Sequence, residues 1–290
     1  MLPLPIFLQL LIGGIAMGFI YALVAVHNTL IFNSTGLINF SQDKIVMLGA
    51  YVFAASYVLE LGLPHFPAIF LALLTLALFG ILIAHTIFFP LRNVSRLCAI
   101  IGTVMLGRII VEGVRLIYGP APIPVRGFFN NITFLGPVVL PNANIFIIAT
   151  AIIVITLLQL FLTKTKPGKA MRCVAQNRMA AELMGINIAL NMAGTVSISF
   201  AISCIIGIMV APIFMVEFNM AVMIGLKGFA AGVIGGWGYL PGVIAGGLLI
   251  GILENLAAVV FPAVFRDVVA FAILILFLMF RPTGIFGKRA

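Results

Sequence analysis

Long apolar stretches alternate with short polar ones along this chain. Residues 4–26 and 145–163 contain no charged side chain. Because the core of a bilayer takes about 20 apolar residues per helix, the pattern predicts nine crossings or part-crossings. Their predicted bounds are 6–27, 46–62, 66–89, 97–117, 143–163, 192–212, 217–235, 240–261 and 266–281. The segments 46–62 and 217–235 are short or rich in glycine, so we expect them to be broken or re-entrant.

The composition supports the same fold class. Hydrophobic residues make up 63% of the 290 positions and charged residues only 8%, which is too little polar surface for a soluble domain of this size. We therefore predict an all-α, polytopic transmembrane helical bundle of about eight or nine spans. Its two halves are loosely related, because each carries a polar or glycine-rich interruption before a hydrophobic span, as in repeated transporter halves. The alternative is that these glycines serve ordinary helix packing.

Basic residues indicate the orientation. They collect in three connecting regions, namely 92–96, 164–178 and 281–289. Because lysine and arginine favour cytoplasmic loops, nine crossings place the N-terminus outside and the C-terminus in the cytoplasm. The loop 118–142, whose only charge is Arg126, then lies outside. The alternative is eight spans with an internal N-terminus. The net charge of +9 thus reflects membrane topology and does not predict nucleic-acid binding.

The segment 164–190 is too polar to cross a membrane and has apolar residues near helical period, which predicts a short amphipathic helix. Such a helix either lies on anionic lipid or docks in a groove of a soluble partner. Within it, MAAELMG resembles the EAA loop of ABC-importer permeases, with Ala180, Ala181 and Gly185 in the places of the two alanines and the glycine. Met179 stands where that family usually has an acidic residue.

The resemblance extends over nearly the whole chain. The chain contains, in the order typical of branched-chain amino-acid ABC transporter permeases, the segments GLINFSQDKIVMLGAY, IYGP, GKAMRCVAQNRMAAELMGIN, LKGFAAGVIGGWGYLPGVIAGGLLIGILENL and RPTGIFG. In size and build it is most similar to the LivH-type subunit. The resemblance implies one permease domain over residues 1–290, which translocates branched-chain amino acids or a related small polar solute across the bacterial inner membrane.

The resemblance also implies partners. These are a second, LivM-like permease subunit, two cytoplasmic ATPases of the LivG/LivF type, an external substrate-binding protein and membrane lipid. ATP and magnesium would bind in the ATPases, because this chain has no Walker A motif, and we expect no cofactor in the chain itself. We find no HExxH, GxSxG or clustered His/Cys pattern, so we expect neither an enzyme nor a metal site. The resemblance further implies that residues 164–190 form a cytoplasmic coupling loop, which receives motion from the ATPases. The residues expected to contact the ATPases are Gly168, Arg172, Ala180, Ala181 and Gly185.

Polar residues within spans are candidates for the translocation path, because they are costly in lipid. Asn39, Ser41 and Gln42 offer donors and acceptors to a zwitterionic solute, and a broken helix there would free backbone groups. The alternative is that Asn39 and Ser41 cap a helix that begins near Gln42. Lys227 and Glu254 are predicted to pair inside the bundle, with either a structural role or contact with the solute.

The fourth span has its own charged face. Arg108, Glu112 and Arg115 recur at helical spacing and can pair with each other. We expect a structural stripe that faces the bundle, with part of an aqueous path as the alternative. A stand-alone secondary transporter or channel is the alternative function, and it would use one of these charged pairs for ion coupling.

Overall fold

A computed structural model describes residues 4–92, 94–125, 132–135, 138–259, 261–262, 265–281 and 284–286. The predictions that concern Arg126, Lys288 and Arg289 lie outside the described residues. The described helices are α1 (Leu4–Thr35), α2 (Gln42–Tyr51), α3 (His65–Ile83), α4 (Phe89–Leu91), α5 (Arg96–Tyr118), α6 (Asn142–Lys164), α7 (Lys166–Gln176), α8 (Arg178–Leu183), α9 (Ile188–Phe214), α10 (Val222–Gly235), α11 (Leu240–Ala257) and α12 (Arg266–Phe280).

Every predicted crossing coincides with a helix, which confirms the all-α polytopic class. Six helices of the described chain are long and apolar enough to cross a membrane, and they are Pro5–Thr35, His65–Leu91, Leu97–Tyr118, Asn142–Lys164, Ile188–Phe214 and Leu240–Ala257. The other three crossings are shorter or irregular. Helix α2 continues as the π-helix Val52–Glu60, whereas α10 and α12 have 14 and 15 residues. Residues 42–60 are a continuous helical run that changes from α to π, whereas the 14 residues of α10 are fewer than a full crossing takes. That these segments are broken or re-entrant stays a prediction.

The predicted outer loop contains a β-hairpin, which the apolar pattern did not reveal. Strand β1 (Ile132–Leu135) pairs antiparallel with β2 (Val138–Pro141). Pro141 ends β2, and the next residue begins α6. Four-residue strands are too short for their alternation to stand out within a proline-rich loop.

Contacts divide the described chain into two compact units. The terminal unit comprises residues 1–29, 126–152 and 223–290, and the central unit comprises 30–125 and 153–222. In the terminal unit, α1 and α11 approach through glycine: a Cβ on Gly251 would lie 2.3 Å from the Cα of Gly18. The small-residue spacing of these helices therefore serves close packing, as expected for membrane helices.

In the central unit, α9 packs against α2 and α3. A Cβ on Gly207 of α9 would lie 2.4 Å from the carbonyl oxygen of Val46 in α2, so a larger residue there would separate the two helices. The chain after α5 and the chain after α9 meet in a short antiparallel bridge between Ile123 and Val216, with both N–H···O distances at 3.0 Å. The C-terminal ends of α5 and α9 therefore lie at the same end of this unit.

Candidate functional sites

The connecting segment between α6 and α9 forms two helices, α7 and α8, where one was predicted. A capping residue precedes each helix. The Thr165 hydroxyl accepts a hydrogen bond from the Gly168 N–H at 3.1 Å, and Asn177 Oδ1 accepts one from the Ala180 N–H at 3.0 Å. Because Asn177 is extended (φ −154°, ψ 106°), it ends α7 and redirects the chain into α8. Asparagine is a strong helix N-cap, and this signal is present in the sequence.

Helix α8 and the turn after it present apolar side chains to the surface. Met179 is 75% exposed, Leu183 84% and Met184 83%. The opposite side holds a small core of Val174, Ala181 and Ile188. We call the exposed set Met179, Leu183 and Met184 the docking surface. Ala180 is exposed on the same helix, whereas Ala181 is buried, so the two alanines of the EAA-like motif have different surroundings.

Two glycines fix the path of this segment. A Cβ on Gly168 would lie 2.1 Å from the carbonyl oxygen of Phe161 in α6, so α7 begins in direct backbone contact with the end of α6. Gly185 has φ +82° and open space around it, so it is required for its backbone conformation and not for close packing. Arg172 is exposed on α7. The structure thus places Gly168, Arg172 and Gly185 in one segment, and their contact with ATPases stays a prediction.

Arg178, at the start of α8, lies near other charged groups. Partial burial lowers the pKa of its guanidinium, the positive charge of Arg92 lowers it further, and Glu182 opposes both effects. Arg92 in turn stacks over the ring of Phe89 at 3.8 Å. Two basic regions that the sequence placed on one side of the membrane therefore lie close together within the central unit.

The predicted path residues form a buried polar turn between α1 and α2. Asn39 and Ser41 are 1% and 0% exposed, and Gln42 is 7% exposed. Asn39 Oδ1 accepts hydrogen bonds from the Ser41 N–H at 3.0 Å and from the Ser41 hydroxyl at 2.6 Å. The alternative interpretation was that Asn39 and Ser41 cap a helix that begins near Gln42. Helix α2 does begin at Gln42, but the Ser41 side chain makes no capping hydrogen bond to it. Asn39 instead stabilises the turn that precedes the helix.

This turn lies well inside the span of α5. The Phe40 N–H donates to the Thr103 hydroxyl at 3.3 Å, and a Cβ on Gly107 would meet Lys44 and Ser41 at 3.2 and 3.4 Å. At 1.5 Å per residue, these contacts lie about 10 to 16 Å along α5 from its start. The neighbouring Asp43 and Lys44 pair at 2.9 Å and are largely buried. The break between α1 and α2 is thus a polar turn at a depth comparable to the middle of α5.

A cavity of about 230 Å³ lies beside this turn. It is lined by Phe32, Gly36, Leu37, Ile38, Ala99 and Ile100. Its walls are mainly aliphatic, so they suit an apolar group. The sequence did not predict this cavity, because it depends on how the end of α1 meets the start of α5.

Lys227 and Glu254 form the predicted buried pair, with an Nζ–Oε1 distance of 2.7 Å. Two further residues, which the sequence did not indicate, complete the cluster. Lys227 Nζ also lies 2.6 Å from Asp267 Oδ1, and the Tyr21 hydroxyl donates to Glu254 Oε2 at 2.9 Å. Lys227 and Glu254 are 4% and 6% exposed. Each buried charge therefore has a charged partner, as buried ions require.

The charged face of α5 differs from its prediction. Glu112 and Arg115 do pair, at 3.2 Å, but their side chains are 56% and 51% exposed, and Arg108 is exposed as well. The expectation that this stripe faces the interior of the bundle was wrong for this chain. The buried face of α5 is occupied by small and apolar residues such as Ala99 and Leu106, so the charges point away from the core.

Comparison with known proteins agrees with this architecture. Residues 10–278 match the family model described as "Branched-chain amino acid transport system / permease component". The chain is 31% identical to the high-affinity branched-chain amino acid transport system permease protein BraD of Pseudomonas aeruginosa, over 97% of this chain and 96% of the relative. It is also 31% identical to the corresponding LivH protein of Escherichia coli, over the same shares. A probable LivH of Methanocaldococcus jannaschii is 27% identical over 96% of this chain and 92% of that protein.

No solved structure matches the chain. The family match covers almost every described helix, and two of these relatives exceed 30% identity over nearly their full length. The chain is therefore a multi-pass membrane protein that belongs to the branched-chain amino acid transport system permease family.

Proposed function

We propose that this chain is the LivH-type permease subunit of an ABC importer in the bacterial inner membrane, and that it translocates branched-chain amino acids. The substrate is proposed from the names of BraD and LivH, which align with 97% of this chain. A LivM-like permease, two LivG/LivF-like ATPases and an external binding protein would complete the transporter. The chain would not be an enzyme, since ATP and magnesium would bind to the ATPases.

One observation carries this proposal: the docking surface has three large apolar side chains exposed on a polar segment outside the long spans. Met179, Leu183 and Met184 are each at least 75% exposed. Clustered, exposed apolar residues of this size mark an interaction site. Methionine and leucine are adaptable groups for packing into a groove of a partner.

The geometry of the segment also supports transmission of motion. Gly168 holds the start of α7 against the end of α6, and Asn187 caps α9 by accepting from the Leu190 N–H at 3.1 Å. A displacement of the docking surface would therefore move α6 and α9, both of which are long enough to span the membrane. Such movement would switch the path between outward and inward access when the ATPases bind and hydrolyse ATP.

Within this proposal, the N-terminus is outside, the C-terminus is cytoplasmic and α7 and α8 face the cytoplasm. The path would pass the turn of Asn39, Ser41 and Gln42, with Lys227 and Glu254 as further candidates. The adjoining aliphatic cavity would suit the side chain of a branched-chain amino acid.

The test is affinity purification of the chain from its native membrane, with mass spectrometry of the proteins that accompany it. We expect two ATPase subunits and a second permease. Ala180→Glu adds a charge beside the docking surface and should remove the ATPases while the chain remains in the membrane. Ala121→Glu is the matched control, because Ala121 is exposed in the loop after α5.

Two results would contradict the proposed docking of ATPases on α8. If the chain purifies without ATPases, or if Ala180→Glu retains them at the level of Ala121→Glu, the docking role is wrong. Transport by the isolated chain in liposomes, driven by an ion gradient alone, would instead establish a secondary transporter.

A further inference from the structure

Five of the exposed residues of α5 form a regular seam, which is flanked by exposed aliphatic residues such as Val104 and Ile109. Ile101, Met105, Arg108, Glu112 and Arg115 follow one another at intervals of four, three, four and three residues, and all five are exposed. This is the spacing by which one helix meets another in a left-handed pair, in water and in membranes. We call these five residues the α5 seam.

The other side of α5 already has a partner. Ala99, Thr103 and Leu106 are buried, and α5 packs on α2 through this side. Thr103 and Gly107 contact the polar turn that precedes α2. The α5 seam therefore lies on the opposite side of the helix from the packed residues. Arg115 lies over the ring of Phe218 at 5.3 Å, and all five seam residues remain exposed.

Direct contact with lipid is unfavourable for the α5 seam, because the seam carries charged side chains. Arg108 is twelve residues from the start of α5 and ten from its end, so its Cα lies near mid-depth. Among the described residues, none forms an ion pair with Arg108. A charge at mid-depth is expensive against hydrocarbon and normally faces protein or water. Helix α6 provides the contrast, because residues 143–163 contain no charge and the large exposed side chains there, such as Ile153 and Leu157, are mainly aliphatic.

Exposure of the whole α5 seam to water is also unfavourable, because the seam includes large apolar side chains. Ile101 and Met105 are 51% and 52% exposed on the same line as the charges. Large aliphatic groups and arginines on one helix face are covered together by another protein helix, which supplies both packing and a counter-charge. We propose that the α5 seam binds a helix of the second, non-identical permease subunit, and that this helix places a carboxylate opposite Arg108. The inference rests on the proposed function, because it requires a second permease.

The charges argue against a second copy of this chain. In a two-fold dimer with its axis normal to the membrane, each residue stays at its own depth. Two α5 seams would then bring together four arginines and two glutamates, and both glutamates already pair with Arg115. A closed interface between two copies would therefore bury a net charge of +2, which is unfavourable. A different chain with an acidic residue at this depth avoids that excess.

The experiment uses a photocrosslinking residue, p-benzoylphenylalanine, in the full transporter in its native membrane. It replaces Met105 on the α5 seam or, as a control, Ile153 on α6. We expect Met105 to give an adduct with the second permease whose crosslinked peptide lies in a membrane helix with an Asp or Glu. Ile153 should not give this adduct. Arg108→Glu should reduce the Met105 adduct at least tenfold, and Arg108→Lys should retain it.

A second variant distinguishes loss of the subunit contact from a folding defect of this chain. Arg108→Leu suits lipid, so it should leave the membrane yield of this chain unchanged while lowering the co-purified second permease at least tenfold. An adduct with another copy of this chain, equal adducts from Met105 and Ile153, or full assembly with Arg108→Leu would each overturn the inference. Co-purified ATPases separate the two proposals: if they remain while the Met105 adduct is absent, the seam is wrong and the importer stands.

Discussion

The buried cluster around Lys227 gives the sharpest prediction for stability. Lys227 is the cation between two carboxylates, at 2.7 Å from Glu254 and 2.6 Å from Asp267. Lys227→Met keeps much of the aliphatic volume and removes the charge. Glu254, only 6% exposed, would then retain the Tyr21 hydroxyl as its hydrogen-bond donor but would have lost its cation.

The expected magnitude follows from the burial of the two partners. Removal of one member of a buried ion pair costs about 3–5 kcal/mol, because the remaining charge is uncompensated. Asp267 contributes less, since its side chain is 45% exposed and water can solvate it; Asp267→Asn should cost about 0–1 kcal/mol. The double variant Lys227→Met/Glu254→Gln removes both buried charges, so it should be more stable than Lys227→Met alone.

The assay is thermal unfolding of the purified transporter in lipid nanodiscs, for the single variants and the double variant as a mutant cycle. At roughly 2–4 °C per kcal/mol for a chain of this size, Lys227→Met should lower Tm by on the order of 10 °C. A double variant that is as unstable as the sum of the two single variants would refute the pairing argument. Transport by the stable double variant then separates the two roles: full activity indicates a structural pair, and loss of transport favours the path.

Three further predictions concern the segment between α6 and α9. Gly168→Ala should displace the start of α7, because its Cβ would lie 2.1 Å from the Phe161 carbonyl oxygen, and faster hydrogen exchange over α7 would report the displacement. Gly185→Ala should cost about 1–2 kcal/mol because its φ is +82°; Gly113→Ala, with open space and ordinary helical φ, is the control and should not lower Tm. Asn177→Ala should cost about 1 kcal/mol through loss of the α8 cap, and unchanged exchange at the start of α8 would contradict this.

The sequence predicted the helices well because spans are set by runs of apolar residues, which are local. It also predicted the Lys227–Glu254 pair. Few charged residues lie within the apolar spans, and a buried charge needs a partner of opposite sign. It missed Asp267 and Tyr21, because their approach depends on how α1, α10, α11 and α12 pack in the terminal unit. The β-hairpin and the division of 164–190 into α7 and α8 were missed for a different reason: each depends on a short signal, such as the cap at Asn177.

The error at α5 is the most informative. The spacing of Arg108, Glu112 and Arg115 correctly indicated one helix face and a pair, but a spacing does not reveal which face the chain itself covers. The assumption that charges in a span turn inward holds for the complete assembly, because that is what the bilayer surrounds. Where a chain leaves such charges exposed, the same physical rule supports the proposal that a second protein covers them. The charged stripe, which was wrongly placed from the sequence, is thus the observation on which the proposed contact with a second permease rests.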